Sequence, residues 1–530
     1  MKKLSYILLL MLFAVTSCID DSTTGASVNL NEIKIEGIKD YYTAYSFIGE
    51  RLVIDPNITS GYAENELTYK WYIYDKEKEG NAYGDMTPYE ATLIGEEKKL
   101  DYEVRLQSGQ YTLVLQVYAN DGIMKSFETT VDISTKISRG FYILKETTDG
   151  NTEVDLYNPT VGDVEGIFIE NMFTENLGKP MDGAPRHLDV CYGQGFLDPE
   201  MLAQGEEQTS FGITFCVTTE KDSVKFIRSS DFTEIFSNNT CFYEPPTVNV
   251  KPYRAVRGYF EIYYLTDQGI YATYAGDAVM GGSRGQFGKS VDTGGSTHTV
   301  TSADAFNSLV YWNETSSWFG MCDFNGFYVP VASEVEGYSD DDEMPFDCIA
   351  CGSNKLGTNP ETVVFVMQEK TDPSKRYLFY LACDMSGATL TKVVPLEEDS
   401  KLAQASCFAM NLTQASVIYG ITDNKMYAYD LNGNTAEMEV PLQGIPADET
   451  ITYLSNQYWK EASEEMYNFD YLLVGTQKGD TYKLYAYRLI GEQTDGAPVF
   501  SASGIGRLEG VHYVSPIWMG SPAVYAVVDR

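Results

Sequence analysis

Gly281-Gly282-Ser283-Arg284-Gly285 matches the GxSxG of a nucleophile elbow, in which a serine on a sharp strand-to-helix turn gives its proton to a histidine oriented by an acid. That chemistry needs a helix behind the serine, yet AGDAVMGGSRGQFGKS runs on from Ser283 without a helical period. His187, His298 and His512 are the whole supply of imidazole bases. Gly288-Lys289-Ser290 approaches a phosphate-cradling loop, but Ser283 stands where the first glycine of that motif must be. Cys348 and Cys351 form a lone CxxC with no second pair at zinc spacing and no histidine nearby, so a disulfide or buried thiols is expected there and a metal is not. Ser339-Asp340-Asp341-Asp342-Glu343 has the oxygen ligands that hard cations want, but it lacks the alternation and central glycine of a calcium loop and reads as a solvated connection. We therefore expect no catalytic residue, no metal, no cofactor and no enzymatic activity. Flat rings are the more usable chemistry, because they stack on sugar faces and anchor interfaces. Trp312 in YWNETSSW, with Tyr458 and Trp459 in SNQYWKEAS, falls in apparent loops, and these three are the candidate ligand-binding residues.

The elements that must position such residues are strands. Period-two runs rich in Tyr, Val, Ile, Phe and Thr recur throughout, separated by Gly, Asp, Asn and Pro, which predicts an all-β protein. Residues 27–136 have the rhythm of a sandwich. In LTYKWYIYD, Leu67, Tyr69, Trp71 and Ile73 alternate with polar or amphipathic neighbours, which makes Trp71 a core residue, and Asn120-Asp121-Gly122 is the turn of a later hairpin. Residues 138–530 repeat a different unit, an apolar strand, a short turn and a tyrosine-rich strand, as in SVIYGITDNKMYAYDL and DYLLVGTQKGDTYKLYAYRL. Its turns are marked by Asp149, Asp222, Asp267, Asp323, Asp372, Asp423 and Asp480, at intervals of 45 to 73 residues. Seven units near the period of propeller blades predict a seven-bladed β-propeller, with six or eight blades as the alternatives. A last strand around Ala523–Val528 would close the ring.

The N-terminus reads as an address. Lys2 and Lys3 precede the apolar run LSYILLLMLFAV, too short to span a bilayer, and Val15-Thr16-Ser17-Cys18 has the small residues before a cysteine at which a lipoprotein signal peptidase cuts. Residues 1–17 are the expected signal peptide, Cys18 the acylated residue and 18–26 a flexible acidic tether. The chain carries a formal net charge of −38, and loss of Lys2 and Lys3 with the signal makes it −40. Such a charge repels phosphate backbones and anionic headgroups, which argues against nucleic-acid binding and leaves membrane contact to the lipid alone.

The Tyr-x-Trp strand and the Gly-x-Tyr-x-Leu-x-Leu-x-Val run from Gly109 to Val117 resemble the PKD-like, immunoglobulin-fold modules of bacterial surface proteins. With the lipidation signal and the repeat region behind it, the whole chain resembles the PKD-like family lipoproteins of Bacteroidetes. The resemblance implies an outer-membrane lipoprotein facing the cell exterior, an accessory ligand-capture or docking subunit of a SusC/SusD-like nutrient uptake system. Its partners would be the transporter and its lid, and its cargo a glycan or a peptide. A purely structural scaffold subunit, or a propeller enzyme of the glycosidase, lyase or peptidase kind, are the alternatives.

Overall fold

The computed structural model describes residues 32–516 except 47–49, 77–90, 107, 161–164, 198–201, 204, 206, 208, 239, 259–260, 274–283, 289, 293–298, 304–307, 324–326, 342–343, 354–360, 385–386, 413–414, 432–436 and 460–466. The signal peptide, Cys18, the tether and the strand expected near Ala523–Val528 lie outside the described residues. The chain is all-β, with strands throughout and one short α-helix, Met172–Leu177, among the described residues. It divides into two compact units. Of the described residues, those in 32–42, 51–103 and 111–131 make the first, and those in 43–50, 104–110 and 132–516 the second.

In the first unit Leu67–Asp75 lies between Thr92–Gly95 and Gly109–Ala119, with Met124–Ser134 and then Tyr41–Tyr45 beyond. Trp71 faces Leu115 and Ile73 faces Leu113 across the antiparallel ladder. Trp71, Ile73, Leu113, Leu115 and Val117 are all buried. Alternation explains the choice, since every second residue of a strand points to the same face. The indole N–H, which would be costly to bury alone, donates to the Glu97 carbonyl at 3.0 Å. Asn120-Asp121-Gly122 does turn the chain, with Gly122 at φ +91° and Asp121 accepting from the Ile123 N–H.

The second unit holds seven antiparallel sheets of at least four strands. Sheet 1 orders Arg507–Val514, Gly140–Glu146, Thr152–Asn158 and Ile167–Ile169. Sheet 2 is Pro185–Leu197, Thr209–Thr219, Val224–Arg228 and Glu234–Ser237, and sheet 3 is Pro252–Arg257, Ile262–Thr266, Gly269–Ala272 and Ser290–Asp292. Sheet 4 follows with Thr299–Ala303, Ser308–Asn313, Trp318–Cys322 and Tyr328–Pro330. Sheet 5 runs Phe346–Ser353, Glu361–Glu369, Arg376–Asp384 and Gly387–Pro395, with Ala332–Ser333 added in parallel at its edge. Sheet 6 is Phe408–Asn411, Val417–Thr422, Lys425–Asp430 and Met438–Val440, and sheet 7 is Thr450–Trp459, Phe469–Lys478, Thr481–Ile490 and Phe500–Ile505.

Each of the seven marker aspartates falls in a different sheet. Six of them turn the second strand into the third. Asp323 instead follows the third strand of sheet 4, whose earlier turn is at Glu314–Ser317. Side chains between the sheets form a succession of apolar layers. Cys216, Phe226 and Tyr264 join sheets 2 and 3, Leu265 and Tyr311 join 3 and 4, Phe319 and Phe379 join 4 and 5, Val364 and Ile418 join 5 and 6, and Tyr419 and Leu472 join 6 and 7. Phe141, Phe215 and Leu484 belong to one cluster shared by sheets 7, 1 and 2. Strands so placed are buried on both faces, as Gly140–Glu146 and Val417–Thr422 are. Close packing fixes individual residues. A Cβ on Gly320 would lie 2.3 Å from the Tyr311 ring.

Candidate functional site

Several strands that open a sheet carry buried polar side chains that reach a neighbouring strand or sheet, among them Asp189, Arg254, Asn456 and Gln457. Asp189 of sheet 2 receives the Arg254 guanidinium of sheet 3 through Nη2 at 2.5 Å and Nε at 3.3 Å, a forked pair that satisfies both planar groups. His512 of sheet 1 stands beside them. Burial pushes its imidazole down to about 4, helped by the Arg254 charge and opposed by Asp189 and the Tyr513 backbone, so the ring is neutral at pH 7. Gln457 of sheet 7 donates to the Val511 carbonyl at 2.6 Å and accepts from the Tyr513 N–H at 3.1 Å, which extends the pairing from sheet 7 to sheet 1. Asn456 donates to Asp470 at 2.9 Å, and burial holds that carboxyl above its ordinary range.

Chemically this centre is a set of satisfied bonds. The carboxylate that would orient a catalytic imidazole is taken by Arg254, and the nearby Cys191 thiol is raised by burial, the opposite of what activates a nucleophile. Burial also raises Cys216 and pushes Cys241 up to about 12. None of the eight cysteines among the described residues is in a disulfide, Cys348 and Cys351 included, and both of those are buried on Phe346–Ser353. No group of metal-binding side chains occurs among the described residues, where Asp340 and Asp341 lie but Asp342 and Glu343 do not.

The aromatic candidates take a different place from the one expected. Trp312, Tyr458 and Trp459 lie in strands, not loops. Trp312 is 0% exposed and packs edge-on to Phe319 between sheets 4 and 5. Trp459, 3% exposed, stacks on Tyr192 at 5.8 Å and meets Tyr513 edge-on at 5.5 Å. Neither presents a face to a ligand. Tyr458 alone keeps partial exposure.

Ser283 and His298 lie outside the described residues, as do the glycines before Ser283. Arg284 and Gly285 are described, and their roles are structural. Gly285 has φ +81°, and a Cβ there would fall 1.7 Å from the Gly195 carbonyl oxygen, so only glycine fits. Phe287 exchanges backbone bonds with Cys241 and Tyr243, and the Gln286 amide donates to the Thr240 and Phe242 carbonyls.

Around this clamped segment lie aromatics that the sequence reading passed over. Phe211 is 62% exposed and Tyr243 54%. Phe211 pairs with Gly195 in the ladder, and Gly195 touches both the Phe211 ring and Gly285. Arg284 and Glu207 join at 2.7 Å at the surface beside it. Phe327 and Tyr328 are likewise exposed at the last hairpin of sheet 4. A strand phenylalanine in TSFGITFCV reads as core, and only the length of chain between the first two strands of sheet 2 distinguishes it.

The model of the PKD-like family matches residues 18–185, a range that reaches beyond the first unit into sheet 1. No curated protein matches the chain. Among solved structures, a DUF4784 family protein from Bacteroides caccae ATCC 43185 aligns with 9% identity and TM-score 0.29, over 77% of this chain and 95% of that one. KlHsv2 with loop 6CD replaced by a Gly-Ser linker aligns with 10% identity and TM-score 0.35, over 71% and 99%. The dihydro-heme d1 dehydrogenase NirN aligns with 10% identity and TM-score 0.33, over 72% and 76%.

Proposed function

We propose that the seven sheets of the second unit are the blades of a β-propeller and that the chain is a non-catalytic, lipid-anchored surface protein. In this reading it is an accessory subunit of a SusC/SusD-like nutrient uptake system. The observation that carries the propeller is the pairing of Arg507–Val514 with Gly140–Glu146, which joins the end of the repeat to its beginning. Ring closure of this kind leaves few open strand edges. Asp189, Arg254 and Gln457 of the opening strands are engaged within the protein, which leaves the connections between strands, with their exposed aromatics, as the surface that meets a glycan, a peptide or the transporter.

The address rests on Lys2, Lys3, the apolar run and Cys18, together with the PKD-like match that begins at residue 18. Cys18→Ala should release the protein from the outer membrane, and metabolic labelling with palmitate should mark the wild type alone. The native protein extracted in mild detergent should co-purify with an outer-membrane transporter and its lid. Recovery of the unaccompanied chain at native expression would count against the uptake role.

A further inference from the structure

We infer that the exposed surface around Arg284 is a binding site for a neutral glycan, with Phe211 as its stacking platform and the Arg284–Glu207 pair as its hydroxyl clamp. This deepens the reading above by naming a site and a ligand class. Four observations bring the parts together. Gly195 has no side chain, and the space a Cβ there would take is bordered by both Gly285 Cα, at 3.3 Å, and the Phe211 ring, at 3.4 Å. Gly285 sits directly after Arg284, and Arg284 reaches Glu207, four residues ahead of Phe211. Tyr243 is tied to the far end of the same segment by its N–H to the Phe287 carbonyl at 3.0 Å. The segment itself is held rigid by the Gln286 amide on Thr240 and Phe242.

None of the three exposed groups is explained by folding. A phenylalanine that keeps 62% of its surface in water contributes little to a core, and an ion pair as exposed as Arg284–Glu207 adds little to stability. Their chemistry suits a sugar. The C–H face of a pyranose is apolar and flat and stacks on an aromatic ring, while vicinal hydroxyls each donate and accept a hydrogen bond. The guanidinium has donors left over after its bond to Glu207 Oε2, and the second carboxylate oxygen is an acceptor beside them. The formal net charge of −38 disfavours an acidic polysaccharide. A neutral glycan satisfies all three constraints.

The test uses the full mature chain on an array of neutral oligosaccharides, α- and β-glucans, mannans and xylans, followed by calorimetric titration of the best of them. Phe211→Ala and Arg284→Ala should each weaken binding about tenfold, and Tyr243→Ala less. Ile490→Ala, an exposed aliphatic residue at the end of Thr481–Ile490 on sheet 7, should leave it unchanged. Unaltered melting of each variant would show that the loss is local. Absence of binding to every neutral glycan, or binding that survives both Phe211→Ala and Arg284→Ala, would overturn the assignment. Neither outcome touches the uptake role, which stands or falls with co-purification of the transporter.

Discussion

The two units bury their strands in different ways, and the contrast shows what a strand's neighbours demand of its sequence. Arg51–Ile54 in the first unit alternates exposed and buried residues one by one, so polar and apolar side chains sort by position. Gly140–Glu146 in the second is buried on both faces between neighbouring sheets, and alternation there has nothing to sort. Polar residues that enter such a strand must be paired inside the protein. Lys145 meets Asp155 at 2.7 Å with both groups almost fully buried, and the same carboxylate accepts from the Tyr482 hydroxyl of sheet 7 at 2.5 Å and from the Asn171 N–H at 2.7 Å. The first unit has its charges outside, as in Arg51–Asp101.

The sharpest way to break this comparison is Asp155→Ala. It leaves the Lys145 ammonium buried and unpaired, and should cost about 3–5 kcal/mol, read as a fall in the melting temperature of the second unit. Trp71→Ala should cost the first unit about 3–5 kcal/mol by cavity formation, seen by hydrogen exchange confined to residues 51–131. Gly320→Ala comes next. A methyl pressed against Tyr311 should cost about 1–3 kcal/mol in denaturant titration, with Tyr311→Ala partly restoring stability in the double variant.

A pH effect should follow from His512. Its folded value lies near 4 against an ordinary 6.5, so the unfolded chain binds more protons between those values. Stability from this group is therefore complete above about pH 6.5, declines as the pH falls from there to 4, and changes no further below. Urea titrations across that window should show the slope, and His512→Gln should flatten it. Arg51→Ala, which removes half of an exposed pair, should change stability by less than about 1 kcal/mol and should lose even that at high salt.

How much could be read in advance follows from the same contrast. The all-β class, Trp71 in the core and one marker aspartate in each sheet were legible, because tight turns and alternation are local. Trp312 and Trp459 read as loop residues in the sequence because their polar neighbours Asn313, Asn456 and Gln457 look like loop residues. In the fold those neighbours are spent on buried bonds, Asn313 on the Thr315 and Ser316 amides and Gln457 on the next sheet. Asp189, Arg254 and His512 were not legible as a group. Their meeting depends on three strands far apart in sequence, and no spacing signals it. Phe211 was passed over for the opposite reason. It sits in strand rhythm with Ile213 and Phe215, and only the three-dimensional structure shows that this end of Thr209–Thr219 keeps its side chain in solvent.

The pairing of Gly140 with Val514 also sets a schedule for synthesis. Translation delivers the N-terminal strands of sheet 1 long before their partner exists, so Gly140–Glu146 must wait with one ladder edge unsatisfied while six further sheets emerge. That wait is when the nascent chain is most open to pairing with a stranger. A polypeptide ended before Arg507 would lack this ladder while still holding the strands of the other six sheets.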